Sequence, residues 1–326
     1  MIDRFIIHGG GLSDPEYGSV KDRPTFALIQ SIRKYFPSSK ITLSTWLNET
    51  YIDKYSLLVD NIVLSEDPGT TIANRKLGHS SAVNRHIISS KRGLYSIGSD
   101  QQIICLIRTD LFFYGNKINK LLTDNQEELI TSKKIIALAG GTINEKTKLR
   151  LPYLFHVCDF LYLGTAETLK NFFLIPNEYD SLYKNMFFDK NSKPIFKIKK
   201  WNHSYIQRWI PESYVVIKNT RNNKLPSSSY EISKKFINNS IETINKKFIL
   251  IDRSQANLKW LKNNNEWQPG LRGIIGRYSY WLHLYRKKQH FLKSIYLVFH
   301  FFKIFKKLTI FYKDYLFKLI YSKLKK

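Results

Sequence analysis

Polar side chains follow four short apolar runs of this sequence, at the points where the runs end. These residues are His8, Thr45, Asp67, and the pair Arg108 and Asp110. In open α/β sheets, ligands bind beyond the carboxyl ends of the strands. A carboxylate there can hold a divalent cation that bridges a diphosphate, and an arginine can neutralise the phosphate directly. Arg108 and Asp110 are therefore the leading candidates for a phosphate site, the alternative being a turn with a surface ion pair.

Three consecutive glycines follow the first apolar run, in the stretch RFIIHGGG. In α/β-hydrolases an HGGG loop supplies a backbone N–H group to an oxyanion hole. In nucleotide-binding α/β folds a glycine-rich turn lets the backbone approach a phosphate. The simplest alternative is that Gly9, Gly10 and Gly11 only make the turn. The polar residues at the other strand ends favour the nucleotide interpretation.

The hydrolase interpretation needs a nucleophilic serine in a strand-to-helix turn. The stretch LGHSSAV offers Ser80 in a loose G-x-S-x-A pattern, but the preceding TTIANRKL is polar and typical of a turn. The sequence therefore disfavours a serine hydrolase, and the position of Ser80 relative to a central strand decides the question.

Strand and helix patterns alternate through the first half of the chain. The apolar spacing predicts two helices, at Thr25 to Pro37 and in SSAVNRHIISSKRG, the second closed by Gly93. It predicts strands at Arg4 to Ile7, Lys40 to Trp46, in NIVLS and at Ile103 to Ile107. This alternation predicts an α/β fold with a mainly parallel sheet flanked by helices.

Composition excludes several classes of protein. The chain has 326 residues, of which 43% are hydrophobic, and its mean hydropathy of -0.31 is not that of a polytopic membrane protein. Its two cysteines, and a start MIDRFIIHGG without a signal-peptide pattern, favour a cytoplasmic protein. No zinc-type spacing of Cys or His is present, so a bound metal would need oxygen ligands.

The net charge of +26 is unevenly distributed. Residues 270–326 contain 14 Lys and Arg against one Asp, which places half of the excess in the C-terminal segment. No sequence pattern of a nucleic-acid-binding module is visible, so we expect no specific nucleic-acid partner. The alternative is a non-catalytic basic protein that binds nucleic acid or membranes.

The apolar runs of the C-terminal segment are too short to span a bilayer. The longest central stretch without Lys or Arg is SIYLVFHFF. On a helical wheel one side is charged, with Lys303, Lys306, Lys307, Asp314 and Lys318. The other side is apolar, with Ile304, Phe305, Leu308, Phe311, Tyr312, Tyr315, Leu316 and Leu319. This pattern predicts an interfacial helix on an anionic membrane, the alternative being a helix packed on the protein itself.

Several stretches, in this order, resemble the WavE family of lipopolysaccharide-synthesis proteins: TFALIQSIRKYFPSSKITLSTW, EDPG, NRHIISSKRGL, LIRTDLFF, DFLYLGT and IPESY. The resemblance covers most of residues 1–260. It implies a glycosyltransferase of bacterial surface-polysaccharide assembly with a GT-A-like fold and a nucleotide-sugar donor. The acceptor implied is a lipid-linked glycan or an oligosaccharide.

The resemblance also marks individual residues. On the donor side they are Thr45, Trp46, Asp67, Gly69, Asn84, Arg85, Arg108 and Asp110, joined by His8 and Gly9 from the first strand end, and on the acceptor side they are Asp159 and Glu212. Two positions depart from the family pattern. The turn after the first strand reads HGG instead of a Gln-Gly-Pro type, and Leu106 stands where a lysine is common.

Sugar transfer explains what these residue types can do. Breaking the anomeric bond leaves negative charge on the diphosphate, and a cation has to stabilise this charge. The cation is either Mg²⁺ or Mn²⁺ bound by Asp110, or the side chains of Arg85 and Arg108. An attacking hydroxyl needs a general base, for which Asp159 or Glu212 is the candidate. Each residue has a structural alternative: a buried turn at Asp159, a helix start at Glu212, and a solvated charge at Arg85.

The sequence thus predicts three regions in a cytoplasmic enzyme on the inner face of the inner membrane. Residues 1–141 form the nucleotide-sugar-binding half of a catalytic domain, and residues 142–269 form its acceptor-side half. Residues 270–326 form basic amphipathic helices that associate with the membrane.

Overall fold

The strands of the computed structural model follow the apolar runs of the sequence. They are β1 (Arg4–His8), β2 (Lys40–Trp46), β3 (Asn61–Ser65), β4 (Thr71–Asn74), β5 (His79–Ser81), β6 (Ile103–Arg108), β7 (Leu111–Phe113), β8 (Ile135–Leu138), β9 (Cys158–Thr165), β10 (Phe248–Ile251) and β11 (Leu258–Trp260). All four strands predicted from the sequence are present.

Helices connect these strands. They are α1 (Pro24–Tyr35), α2 (Ile52–Ser56), α3 (Val83–Tyr95), α4 (Lys117–Asp124), α5 (Gln126–Ile130), α6 (Ala166–Phe172) and α7 (Lys234–Lys247). Pro24 begins α1, where the missing N–H group of proline costs no helical hydrogen bond. Thr165 caps α6, because its hydroxyl accepts a hydrogen bond from the backbone N–H group of Thr168.

The structure describes residues 1–19, 21–69, 71–74, 79–138, 155, 157–175, 215–216, 219 and 234–260, with only the backbone given for 71–74, 79–81, 234–238 and 241. All of these residues belong to one compact unit, Met1–Arg277. Within them, no helix is long and apolar enough to cross a membrane. The predicted membrane helices of residues 270–326 lie outside the described residues.

Seven strands form the central sheet, in the order β10-β8-β9-β6-β1-β2-β3. Strand β9 runs antiparallel to both of its neighbours, and the other neighbouring pairs are parallel. Two-stranded pairs are formed by β7 with β11 and by β4 with β5. The predicted α/β fold with a mainly parallel sheet is therefore confirmed. The predicted boundary at residue 141 falls between β8 and β9 of this sheet.

The first strand buries side chains on both faces of the sheet, since neighbouring residues of a strand point in opposite directions. On one face Phe5 packs against Phe36, at the end of α1, and against Phe113, with ring centroids 5.0 and 5.8 Å away. On the other face Ile6 lies against α3, at Gly93. Helices therefore cover both faces of β1, as its continuous apolar run predicts.

The prediction that Gly93 closes the second helix is wrong, because α3 continues to Tyr95. A Cβ atom on Gly93 would lie 2.6 Å from Cγ2 of Ile6 and 3.0 Å from Cβ of Ser44. The glycine therefore permits close contact between α3 and the strands β1 and β2. Its role is in packing and not in ending the helix.

Replacing Gly93 with alanine should destabilise the fold, because the added methyl group has no space between α3 and the sheet. Overpacking of this kind costs about 1–3 kcal/mol. Gly98→Ala is the matched control, since a Cβ atom on Gly98 has no neighbour within 4 Å. Thermal unfolding should show a lower Tm for Gly93→Ala alone, and equal Tm values for the two variants would contradict the proposed packing role.

Candidate functional site

The order in which the chain adds strands to the central sheet reverses at β1. The chain passes from β1 to β2 and β3 on one side, and the neighbour on the other side is the later strand β6. Ligands of open α/β sheets bind at the carboxyl ends of the strands beside such a switch point. His8 ends β1 and is paired in register with Arg108, which ends β6. The strand ends that the sequence singles out therefore meet at this place.

Arg108 holds two carboxylates at the switch point. Its Nε and Nη2 atoms donate to the two oxygens of Asp110 at 3.1 and 2.7 Å, and Nη1 donates to both oxygens of Asp159 at 3.2 and 3.1 Å. Burial works against the charged guanidinium, but the two aspartates raise the pKa of Arg108 above its ordinary value. We call Arg108, Asp110 and Asp159 the carboxylate–arginine cluster.

Two aromatic side chains enclose this cluster. The guanidinium of Arg108 lies 4.7 Å from the ring centroid of Phe160. Trp260, in β11, donates from Nε1 to Oδ2 of Asp110 at 2.8 Å, and its ring lies 5.1 Å from that of Phe160. Sequence reasoning missed both residues. Phe160 directly follows a predicted site residue in β9, whereas nothing near Trp260 in the sequence marks it.

The cluster leaves little hydrogen-bonding capacity for a ligand. All three nitrogens of Arg108 donate to carboxylates. Both oxygens of Asp110 accept from Arg108, and one of them also accepts from Trp260. A phosphate that binds Arg108 would have to compete with these carboxylates. The pairing of Arg108 with Asp110, which the sequence leaves open as a surface ion pair, is largely buried here.

The described residues around Asp110 do not form a complete metal site. Among the described residues, no group of three His, Cys, Asp or Glu side chains is placed to hold one. The carboxylate of Asp110 is already engaged by a guanidinium and an indole N–H group. A bound Mg²⁺ or Mn²⁺ stays a prediction from the sequence.

A second ion pair lies beyond the end of β3. Arg85, in the first turn of α3, donates from Nε to Oδ1 of Asp67 at 2.7 Å and from Nη2 to Oδ2. These hydrogen bonds are the main reason that the pKa of Asp67 is lowered. The backbone N–H group of Gly69 also donates to Asp67, at 3.0 Å. Asn84 precedes Arg85 in the same turn, so the structure brings these four predicted residues together.

The glycine turn lies over Trp46 at the end of β2. Gly9 and Gly11 have positive φ angles of 122° and 77°, which glycine adopts without strain. A Cβ atom on Gly10 would lie 2.3 Å from the indole of Trp46. Only glycine therefore fits between this turn and the tryptophan.

Glu49 fixes the glycine turn, and sequence reasoning missed it. Its two carboxylate oxygens accept hydrogen bonds from the backbone N–H groups of Gly11 at 2.7 Å and Leu12 at 2.9 Å. Thr45 also donates to Glu49, at 3.3 Å. Two of the backbone N–H groups that could bind a phosphate in the nucleotide interpretation thus already bind a carboxylate of the protein. An acidic residue three positions after β2 was the available signal.

Two predicted residues do not join this site in the described part of the chain. Ser80 lies in the short strand β5, which pairs with β4 outside the central sheet. A nucleophile elbow requires the end of a central strand, so the serine hydrolase alternative is wrong. Glu212 lies outside the described residues.

Comparisons with solved structures give distant likenesses. UDP-glucose pyrophosphorylase from Acinetobacter baumannii is 10% identical, with a TM-score of 0.34, over 54% of this chain and 79% of that chain. Mouse xyloside xylosyltransferase 1 is 8% identical, with a TM-score of 0.36, over 78% and 86%. HddC from Yersinia pseudotuberculosis is 12% identical, with a TM-score of 0.32, over 59% and 87%. At TM-scores below 0.5, these likenesses carry no inference about function.

Two comparisons of the sequence with known proteins gave different results. No curated protein matches the chain at a significant level. The family described as WavE lipopolysaccharide synthesis matches residues 18–312, which include the carboxylate–arginine cluster and the pair of Arg85 with Asp67. This match confirms the resemblance stated from the sequence motifs. The chain belongs to the WavE lipopolysaccharide synthesis family.

Proposed function

We propose that this protein is a glycosyltransferase of bacterial surface-polysaccharide synthesis. It transfers a sugar from a nucleotide-sugar donor to a glycan acceptor, which is lipid-linked or an oligosaccharide of lipopolysaccharide or capsule. One observation carries the proposal: a chain of a lipopolysaccharide-synthesis family carries two arginines, paired with three aspartates, along the edge of a mainly parallel sheet where its parallel strands have their carboxyl ends. That edge is where such sheets bind nucleotides.

Arg85 is the proposed contact for the donor diphosphate. Its ion pair with Asp67 uses Nε and Nη2, so Nη1 keeps its hydrogen-bond donors among the described residues. The side chain is 38% exposed and lies in the first turn of α3, where the helix dipole also favours an anion. In contrast, all nitrogens of Arg108 are engaged, which assigns Arg108 to holding the carboxylates in place.

Asp159 is the proposed general base. The hydroxyl oxygen of the acceptor attacks the anomeric carbon and forms the new glycosidic bond, while the bond from that carbon to the diphosphate breaks and its electron pair leaves with the nucleoside diphosphate. The hydroxyl proton passes to a carboxylate oxygen of Asp159. Arg108 fixes the orientation of this carboxylate through Nη1, which a general base needs in order to meet its proton.

The basic C-terminal segment is proposed to hold the enzyme at the inner face of the inner membrane. This proposal rests on the sequence pattern of residues 270–326, with its lysine side and its aromatic side. Such a position would bring the catalytic domain to a lipid-linked acceptor. The competing function, that of a basic protein that binds nucleic acid, predicts a different partner for the same charges.

Arg85→Ala should weaken binding of the donor. Wild type and variant are tested by thermal shift against UDP, GDP, CDP and ADP and their common sugar conjugates, because a ligand that binds only the folded state raises Tm. At least one nucleotide should stabilise the wild type. Arg85→Ala should reduce its affinity by about tenfold, the worth of a charged hydrogen bond.

The matched control for this experiment is Arg33→Ala. Arg33 is 36% exposed and pairs with Asp60 at the opposite edge of the sheet, next to the start of β2. It should bind the same nucleotide as the wild type does. A wild type that binds no nucleotide overturns the proposed function, and equal losses in both variants remove Arg85 from the donor site.

Asp159→Asn should abolish most transfer while the donor still binds, because the amide cannot accept the hydroxyl proton. The loss of a general base lowers kcat by about 10²–10⁴-fold. Transfer is measured as nucleoside diphosphate released in the presence of a lipid-linked glycan extract. Asp100→Asn, which removes an exposed carboxylate paired with Lys170, is the control. Retained kcat in Asp159→Asn would exclude Asp159 as the base.

Truncation after Gly270 should release the protein from anionic vesicles. An apolar face contributes roughly 25 cal/mol per Å² buried, and each lysine near an anionic surface adds about 1 kcal/mol. Replacing Phe305, Leu308, Tyr312 and Leu316 with serine should also release it, with the charge unchanged. Sedimentation with phosphatidylglycerol vesicles and with duplex DNA in 150 mM salt, a concentration of about physiological strength, tests this. Binding to DNA that survives the salt and the truncation would favour the competing function.

A further inference from the structure

Two consecutive backbone N–H groups at the glycine turn point at one carboxylate. The N–H group of Gly11 donates to Oε1 of Glu49 at 2.7 Å, and that of Leu12 donates to Oε2 at 2.9 Å. We call these two N–H groups the amide pair. Consecutive N–H groups that converge in this way form a concave site for an anion. Here the anion is a side chain of the protein itself.

The glycines of the turn make the space that this anion occupies. Gly11 has a φ angle of 77°, which glycine adopts without strain. A Cβ atom on Gly10 would lie 2.5 Å from Oε1 of Glu49, so a side chain at this position would exclude the carboxylate. The backbone is therefore bare on the side from which an anion approaches the amide pair.

The amide pair lies at the surface and not in the core. Gly11 is exposed, and Glu49 is partly exposed. The long glutamate side chain can therefore turn its carboxylate out into water. Asp110 differs in this respect, because it is buried and bound by Arg108. A ligand can thus take the place of Glu49 at the amide pair without opening the core.

The amide pair also lies close to the proposed contact for the donor diphosphate. It follows the end of β1, and Glu49 follows the end of β2. Hydrogen bonds to Asp67 are the main reason that the pKa of Arg85 is raised, and the negative charge of Glu49 adds to this effect. Because the interaction of two charges weakens with distance, the carboxylate of Glu49 lies near the guanidinium of Arg85. One ligand anion could therefore contact both.

We propose that the amide pair binds a phosphate group of the nucleotide-sugar donor, and that the carboxylate of Glu49 occupies this site until the phosphate replaces it. This inference rests on the proposed function. A phosphate accepts the same two hydrogen bonds through its oxygens. A diphosphate also carries more negative charge than one carboxylate, and Arg85 neutralises part of it. Glu49 therefore competes with the donor and lowers its affinity.

Glu49→Gln tests the proposal, because it keeps the size of the side chain and removes its charge. The variant should bind the best nucleoside diphosphate of the panel about tenfold more tightly than the wild type does, the worth of a hydrogen bond to a charged group. Its Tm without ligand should be lower, since the amide pair loses its charged partner. Calorimetric titration measures the affinity. A lower Tm with unchanged or weaker binding would assign Glu49 a structural role and overturn the inference.

Asp3→Asn is the matched control. Asp3 is exposed, and its Oδ2 accepts a hydrogen bond from the backbone N–H group of Ile103 at 2.7 Å. This contact lies at the amino ends of β1 and β6, at the opposite edge of the sheet. The substitution removes the same kind of bond and the same charge, so it should lower the Tm and leave the affinity at the wild-type value. An equal gain of affinity in both variants would reflect net charge alone and would overturn the inference.

Two further ligands separate the phosphate from the rest of the nucleotide. They are the corresponding nucleoside, which has no phosphate, and inorganic pyrophosphate, which has no nucleoside. Glu49→Gln should bind the nucleoside as the wild type does and should bind pyrophosphate more tightly. A gain with the nucleoside would overturn the inference, because this ligand offers nothing to the amide pair. A gain with pyrophosphate and none with the nucleoside diphosphate would overturn the assignment to the donor.

Direct contact is read from the amide NMR resonance of Gly11 in protein with isotope-labelled glycine. The resonance is assigned by its loss in Gly11→Asn, since asparagine also adopts positive φ angles. The nucleoside diphosphate should shift it in the wild type, because the acceptor changes from a carboxylate to a phosphate. A nucleotide that binds and leaves the resonance in place overturns the inference alone. If neither wild type nor Glu49→Gln binds any nucleotide, the inference fails together with the proposed function.

Discussion

Three separate parts of the chain meet at the guanidinium of Arg108. Asp110 follows the same strand, Asp159 comes from β9, and Trp260 joins through its hydrogen bond to Asp110, 150 residues away in the sequence. Because a buried charge is stable only when it is paired, removing Arg108 or either of its aspartates would leave a buried charge uncompensated. The geometry of the candidate site therefore depends on this one cation, which sits between the antiparallel strand β9 and the parallel part of the sheet.

The charge balance of the candidate site differs from that of the whole chain. The protein carries a net charge of +26, yet the carboxylate–arginine cluster has two carboxylates for one guanidinium, and Arg85 is neutralised by Asp67. Glu49 in turn occupies the backbone N–H groups of Gly11 and Leu12. An anionic ligand that binds Arg108 or these two N–H groups therefore has to compete with carboxylates of the protein.

The sequence was sufficient for four strands of the central sheet and for their ends, because continuous apolar runs and the residues that follow them are local features. It predicted that His8, Thr45, Asp67 and Arg108 lie along one edge. It was insufficient for Gly93, since a glycine near the end of a helical pattern looks like a cap until the neighbouring strands are known. It also missed Trp260 and Glu49, whose roles arise from contacts between distant parts of the chain that no local spacing records.

Charge separates His8 and His86, two buried side chains whose ring centroids lie 5.0 Å apart, from the rest of the site. A charged side chain left unpaired in the fold would be too costly, so the arginines and aspartates satisfy one another before any ligand arrives. A neutral imidazole is less costly to leave unpaired, and burial favours this neutral form because it lowers the pKa of both histidines. Buried uncharged groups can therefore remain without a hydrogen-bond partner among the described residues, whereas the charged groups of the candidate site are each held by an internal counter-ion.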